Sequence, residues 1–170
     1  GFLNSFIRHA DVLKIANIAQ IVNVIAPILT DGDQMLIQSI YYPLAMYTKR
    51  RTGMALHPVV QGPAYEGKTN GQVNVIDTSA ILDANRLHVF ATNRTMEETA
   101  TVHIELADQT IVALDSAEIL SGPEPKALNS FEQPDLIRAR PFRAVSIADG
   151  LATATLPPLS VAAMTFQLEQ

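Results

Sequence analysis

In a chain without cysteine, chemistry has to come from carboxylates, from the four histidines and from hydroxyl and amide side chains. Acid/base hydrolysis of a glycosidic bond asks for two carboxyl groups facing each other, about 5 to 5.5 Å apart when configuration is retained. Glu97 and Glu98 are adjacent in a polar turn, and Asp31 and Asp33 flank Gly32 in a loop; both pairs read more simply as solvated connections. Asp31-Gly32-Asp33 also fails as a calcium loop, because Tyr42 stands at the twelfth position, where a carboxylate is needed. His88 and His103 would make half a metal site if neighbouring strands turned both rings to one wet face. No third ligand lies near them in sequence, so no metal or cofactor site is expected. Asn93-Arg94-Thr95 is formally a glycosylation sequon, which has meaning only for a secreted chain. A serine nucleophile elbow, a phosphate loop and a dinucleotide fingerprint are all absent.

The elements that would position such residues fall into two grammars. Residues 2 to 10 repeat their apolar positions at helical spacing. The run from Asp11 to Leu29 is dense in Ile, Val and Ala and must be buried; Lys14, Asn17, Gln20 and Asn23 recur every three residues, which favours a helix over a buried β-branched strand. Gln34 to Thr52 is a second helical candidate, with Met35, Ile37, Ile40, Tyr41, Leu44 and Tyr47 on one side. Lys49, Arg50 and Arg51 close it before Gly53, as the helix dipole prefers.

From Gly53 onward short β-branched runs alternate with turn residues, so a domain boundary is placed near Thr52. Thr99 to Leu106 alternates cleanly, and Leu87, Val89 and Ala91 do the same one strand earlier, each predicting one packed and one wet face. Asp149-Gly150 predicts a tight hairpin turn, since both residues tolerate positive φ. Pro157-Pro158 stops the pairing, and Ser160 to Leu168 supplies a last strand. Roughly seven or eight strands in about 115 residues is the density of a β-sandwich.

The chain has 170 residues, 48% of them hydrophobic and 17% charged, enough apolar material for one good core and part of another. A net charge of -5 provides no basic stripe for counterion release, so neither nucleic acid nor an anionic membrane surface is an expected partner. The longest apolar stretch, Ile15 to Leu29, is broken by Asn17, Gln20, Asn23 and Pro27 and does not read as a membrane span. Opening on Gly1 and an amphipathic run, without signal-peptide architecture, the sequence reads as part of something longer.

Several stretches resemble glycoside hydrolase family 51, the α-L-arabinofuranosidases. The first is Phe2-Leu3-Asn4-Ser5-Phe6-Ile7-Arg8-His9-Ala10-Asp11, followed by Ile15-Ala16-Asn17-Ile18-Ala19-Gln20-Ile21-Val22-Asn23-Val24-Ile25-Ala26-Pro27-Ile28. It recurs in Ile40-Tyr41-Tyr42-Pro43, Val89-Phe90-Ala91-Thr92-Asn93-Arg94, Lys126 to Asp135 and Leu156-Pro157-Pro158-Leu159-Ser160, so it spans nearly the whole chain.

The resemblance implies a mainly β chain: residues 1–52 as the last strand and helices of a (β/α)8 catalytic barrel, and residues 53–170 as a jelly-roll-like antiparallel β-sandwich. It makes Leu13 to Gln20 a barrel strand, overruling the helical pattern. It implies a retaining arabinofuranosidase whose two catalytic glutamates precede Gly1, so that this chain alone carries no catalytic residue and is inert. One substrate contact carries over: Gln20 matches the family's glutamine that hydrogen-bonds the arabinofuranose in the glycone subsite. A neutral amide suits that role, giving donor and acceptor without disturbing two working carboxyls. Asn17 and Asn23 read as residues that fix the backbone near the rim.

The implied partners are an arabinofuranosyl-containing saccharide, the rest of the barrel and other copies in a homo-oligomer. Intracellular members are common and the absence of cysteine agrees with them, so a cytoplasmic location is expected. A lone barrel strand with its helices leaves unpaired edges and a bare apolar face. The alternatives are a free-standing carbohydrate-binding module or an oligomerisation sandwich. Sugar binding by stacking needs exposed aromatics, and the sandwich holds no Trp and only Tyr65, Phe90, Phe131, Phe142 and Phe166.

Overall fold

The computed structural model of the chain describes residues 1–69 and 71–169. A short helix, α1 (Phe2–Arg8), leads into an irregular stretch, and the hairpin of β1 (Ile28–Asp31) and β2 (Gln34–Ile37) precedes a second helix, α2 (Tyr41–Thr48). The helix expected over Gln34 to Thr52 is therefore half strand. Asp31 pairs with Gln34 around a two-residue turn in which Gly32 takes φ 55°, as a tight hairpin requires. The contiguous apolar residues Met35, Leu36 and Ile37 fit either period, so the turn decides.

The strands then follow in order: β3 (Met54–Leu56), β4 (Ala64–Gly67), β5 (Gly71–Asn74), β6 (Ile76–Asp83), β7 (Arg86–Asn93), β8 (Ala100–Ile104) and β9 (Ile111–Leu120). They end with β10 (Arg140–Pro141), β11 (Val145–Ala148), β12 (Leu151–Leu156) and β13 (Ser160–Leu168). Among the described residues that is eleven strands after Gly53, more than the composition suggested, because β3, β4, β5 and β10 are short.

The sandwich pairs a six-stranded antiparallel sheet, β10-β9-β13-β7-β6-β3, with a three-stranded sheet, β11-β12-β8; β4 and β5 form a separate ribbon. Between the sheets lies the main core, with Leu87, Val89 and Ala91 meeting Met164, Phe166, Ala152, Ala154 and Leu156. The predicted Asp149-Gly150 turn is present, both residues at positive φ (52° and 78°), joining β11 to β12. The alternation of β8 is equally plain: Thr101 and His103 face water while Val102 and Ile104 pack inward.

β7 departs from its prediction, for it has no wet face. Leu87 to Ala91 are all buried, because α1, α2 and the loop before β10 cover the outer face of the six-stranded sheet. There Met46 and Tyr47 of α2 pack with Ile81, Phe90, Leu120, Ile137 and Ala163 in a second cluster. Burying both faces of β7 and β13 explains their largely apolar runs, while β6 buries the polar Asp77, Thr78 and Ser79 as well. Gly53, where the chain passes from α2 to β3, adopts φ 120°, and a Cβ there would lie 2.3 Å from the Leu82 carbonyl oxygen; only glycine fits that turn.

Candidate functional site

The segment that carries Gln20 begins where α1 ends. Leu13 N–H still donates to the His9 carbonyl at 2.7 Å, but from Lys14 to Gln20 no strand pairs with the chain among the described residues. Neither the helical pattern nor a paired barrel strand is realised here. A strand of a closed barrel is paired on both edges, and among the described residues no strand pairs with this segment. Val12, Ile15, Val24 and Ile25 are 70 to 79% exposed, an apolar display without a covering surface.

Gln20 stands at the end of this segment, exposed, with φ 56°. Asn17 is exposed on the same stretch. Asn23 lies in the turn beyond, at φ 63°, and Val24 follows at φ 59°. A β-branched residue in the left-handed region is a true outlier, costing about 1 to 3 kcal/mol, and it persists only where the surrounding bonds fix the loop. They do. Thr30 N–H donates to Asn23 Oδ1 at 2.7 Å and Asn23 Nδ2 donates to Thr30 Oγ1 at 2.9 Å. Asn23 N–H meets the Ile28 carbonyl at 2.8 Å. Ala26 and Pro27 at the loop's base are buried, and Gln38 grips both: its side-chain amide donates to the Ala26 carbonyl at 2.6 Å and its N–H to that of Pro27 at 2.9 Å.

Two polar networks fasten this first part of the chain to the sandwich. In one, the fully buried Asn4 of α1 donates to the Asp77 carbonyl (3.0 Å) and carboxylate (3.1 Å), and its oxygen accepts from Tyr47 Oη (2.6 Å) and Ser79 Oγ (2.7 Å). Every hydrogen-bonding function of the Asn4 amide is used with consistent polarity. Arg8, one turn on, donates to Asp77 Oδ1 at 3.0 Å and to the Thr78 carbonyl, and Arg94 approaches Asp77 Oδ2 at 3.3 Å. Burial first, and then the Asp77 charge, push the Tyr47 phenol well above its ordinary range, so it remains a donor.

The second network lies across the register row His88, Thr165 and Ser116 on β7, β13 and β9. Arg50, 5% exposed just beyond α2, donates to Thr165 Oγ1 (3.0 Å), Ser116 Oγ (3.2 Å), Glu118 Oε2 (2.9 Å) and the Met46 carbonyl (3.1 Å). Lys49 adds a bond to Glu118 Oε1 at 2.9 Å. Burial works against the Glu118 carboxylate, yet the Lys49 and Arg50 hydrogen bonds and charges outweigh it and hold its pKa below the usual value. His88 Nδ1 lies 3.0 Å from Thr165 Oγ1, which also accepts from Arg50, so the three side chains share one hydroxyl. Burial, and then the Arg50 charge, lower the His88 pKa and favour the neutral ring.

The remaining candidates are not brought together. His88 and His103 sit on different sheets, so they are not neighbours; His103 is bonded across to Thr153 at 3.1 Å. Glu97 and Glu98 are exposed, as are Asp31 and Asp33 at their hairpin turn. Among the described residues no group of three or more His, Asp or Glu side chains could hold a metal ion, and no helix is long and apolar enough to cross a membrane. Asn93 of the sequon is 1% exposed and donates to the Glu98, Leu156 and Pro157 carbonyls. Of the sandwich aromatics, Phe90, Phe142 and Phe166 are buried, Phe131 is half-buried, and Tyr65 is exposed on β4. These positions form no stacking platform for a sugar.

Sequence reasoning passed over Asn4, Asp77, Ser79, Arg50 and Glu118. The one available signal was the spacing of Asn4 and Arg8, which puts two polar side chains on the same face of a mostly apolar helix.

Residues 1–160 match the family of α-L-arabinofuranosidase C-terminal domains. The chain is 31% identical over 162 residues to an intracellular exo-α-(1→5)-L-arabinofuranosidase of Streptomyces lividans, covering 94% of this chain and 24% of that protein. It is 31% identical over 161 residues to an exo-α-(1→6)-L-arabinofuranosidase of Bifidobacterium longum, covering 92% of this chain and 31% of the relative. Among solved structures, a family 51 α-L-arabinofuranosidase from Bifidobacterium longum superposes with a TM-score of 0.89 at 29% identity, over 97% of this chain and 33% of that one. The family 51 arabinofuranosidase of Xanthomonas axonopodis pv. citri gives 0.88 at 28%, over 98% and 34%. The chain thus spans only about a quarter to a third of the relatives it matches.

Proposed function

The chain belongs to the family of α-L-arabinofuranosidase C-terminal domains, and from that premise we propose that it is the C-terminal portion of a retaining exo-α-L-arabinofuranosidase. Residues 1–52 supply the last strand and helices of a (β/α)8 catalytic barrel, and residues 53–170 form the sandwich that braces it. The whole enzyme removes terminal non-reducing α-L-arabinofuranosyl residues from arabinose-containing polysaccharides and oligosaccharides. Its two catalytic glutamates lie on barrel strands outside this chain.

The observation that carries this reading is the contrast within one chain. The sandwich closes its own core, while Val12, Ile15, Val24 and Ile25 hold their side chains 70 to 79% exposed around an unpaired segment. Such a segment is accounted for by barrel strands pairing on both of its edges. Gln20, at the end of the segment, is the substrate contact: its amide hydrogen-bonds the hydroxyls of the arabinofuranosyl ring in the glycone subsite. The enzyme works as a homo-oligomer in the cytoplasm, a location supported by relatives named as intracellular.

The test is hydrolysis of an aryl α-L-arabinofuranoside by this chain alone and by the full-length protein, each with and without Gln20→Ala. The isolated chain is inert, the full-length protein is active, and the substitution removes about 1 to 3 kcal/mol of transition-state binding. Activity of the isolated chain at the full-length level would mean that carboxylates within it are catalytic, and would overturn the reading.

A further inference from the structure

The Gln20 side chain meets no partner among the described residues, so the backbone on either side must set where its amide points. On the N-terminal side the chain from Lys14 is unpaired. On the C-terminal side, three residues on, it is fastened by hydrogen bonds joined through short stretches of chain, starting from the loop before β10. Asn129, buried in the loop before β10, donates to the Ile137 carbonyl at 2.8 Å and to the Ile37 carbonyl of β2 at 2.9 Å. The next residue, Gln38, grips Ala26 and Pro27, and the loop they anchor is closed by the bonds between Asn23 and Thr30.

We propose that Asn23 is a positioning residue for Gln20, the last link of a route by which the sandwich fixes the Gln20 amide against the substrate. The inference rests on Gln20 being a substrate contact. Asparagine is suited to the place on two counts. It tolerates the left-handed backbone found there, and a single amide can accept from Thr30 N–H while donating to Thr30 Oγ1. Aspartate would keep the first bond and could hold the second only with the Thr30 hydroxyl turned round to donate. Val24 in the same left-handed region marks a backbone that is over-determined rather than free. Accuracy matters because a misplacement of about 1 Å in a binding group costs on the order of 100-fold in rate.

The experiment measures kcat and KM of the full-length protein on an aryl α-L-arabinofuranoside for Gln20→Ala, Asn23→Gly, Asn23→Asp and the double variant Gln20→Ala/Asn23→Gly. Glycine keeps the left-handed backbone and deletes only the amide. Asn23→Gly is expected to lower kcat/KM by about 10- to 100-fold, and Asn23→Asp by less. With Gln20 already alanine, Asn23→Gly has no further effect beyond about twofold, since nothing is left to position. A general structural role would lower the melting temperature and multiply with Gln20→Ala. Thr30→Val, at an exposed position, removes the hydroxyl bonds without touching the core; its smaller loss should vanish in the same background.

Wild-type kcat/KM for Asn23→Gly beside an impaired Gln20→Ala overturns the positioning role alone, as does a multiplicative double variant. A silent Gln20→Ala overturns the substrate reading of Gln20, and the positioning role falls with it.

Discussion

Tyr47 of α2 stacks on Phe90 of β7 with ring centroids 4.0 Å apart and 20° between the planes. One ring belongs to the helical part of the chain and the other to the middle of the sandwich's larger sheet. The helices are therefore part of the sandwich's outer packing, and what they do is felt in the sheet. Phe90→Ala empties a site with no solvent exposure and is expected to destabilise the isolated chain by about 3 to 5 kcal/mol, read as a shift in the midpoint of urea unfolding. A change under about 1 kcal/mol would mean that α2 is not docked there in solution.

Asn4 sets the second fastening. Asn4→Leu leaves Ser79, Tyr47 and the Asp77 carbonyl without their shared partner in a buried place, at about 2 to 4 kcal/mol in the same assay. Tyr47→Phe removes a single donor and leaves Ser79 to satisfy Asn4, so about 1 kcal/mol is expected. Equal losses for the two variants would contradict the central place given to Asn4.

What was legible in the sequence is what period and turn chemistry encode. Asp149-Gly150, the Pro157-Pro158 stop, the last strand from Ser160 to Leu168 and the inside-outside pattern of Thr101, Val102 and His103 all lie where local rules put them. Position along the chain does not say what lies over a sheet's second face. For that reason the face of β7 that carries His88 and Phe90 reads as wet from the sequence, whereas α2 covers Phe90 and Arg50 beyond it covers the His88–Thr165 pair. Met35 to Ile37 could follow helix or strand, and Gly32 decided between them. The claim on Gln20 never came from pattern, since a glutamine on an exposed, unpaired segment carries no local signal. It came from the order of residues around it.

Acid should weaken the fold in two steps. The folded His88 titrates below its ordinary value of 6.5, so below that pH the unfolded chain binds a proton that the folded chain refuses. Its contribution is complete above 6.5 and declines as the pH falls through the folded value. Glu118 follows the same sign lower down: its contribution is present above 4.5 and disappears as the pH falls through its lowered folded value. Stability measured against pH should lose the upper step in His88→Gln and the lower step in Glu118→Gln. A profile unchanged by both substitutions contradicts the assigned protonation states.

The sequon at Asn93 should stay bare in folded protein. Its side-chain nitrogen serves three carbonyls inside the sandwich, leaving no path for a glycan. After expression through a glycosylating secretory route, the intact mass of recovered folded material is expected to carry no glycan at Asn93. A glycosylated chain with native unfolding behaviour would show that the β7 end is open.

The unpaired segment offers the most direct test of the account. Amide hydrogen exchange, followed by mass spectrometry on peptides covering residues 14–20, compares the isolated chain with the full-length protein. If this stretch is a barrel strand lacking its neighbours, it exchanges almost without protection alone and is slowed by at least about 1,000-fold in the full-length protein, like other core strands. Equally fast exchange in both would show that nothing pairs with the segment in the whole enzyme, and would contradict its assignment to the catalytic barrel.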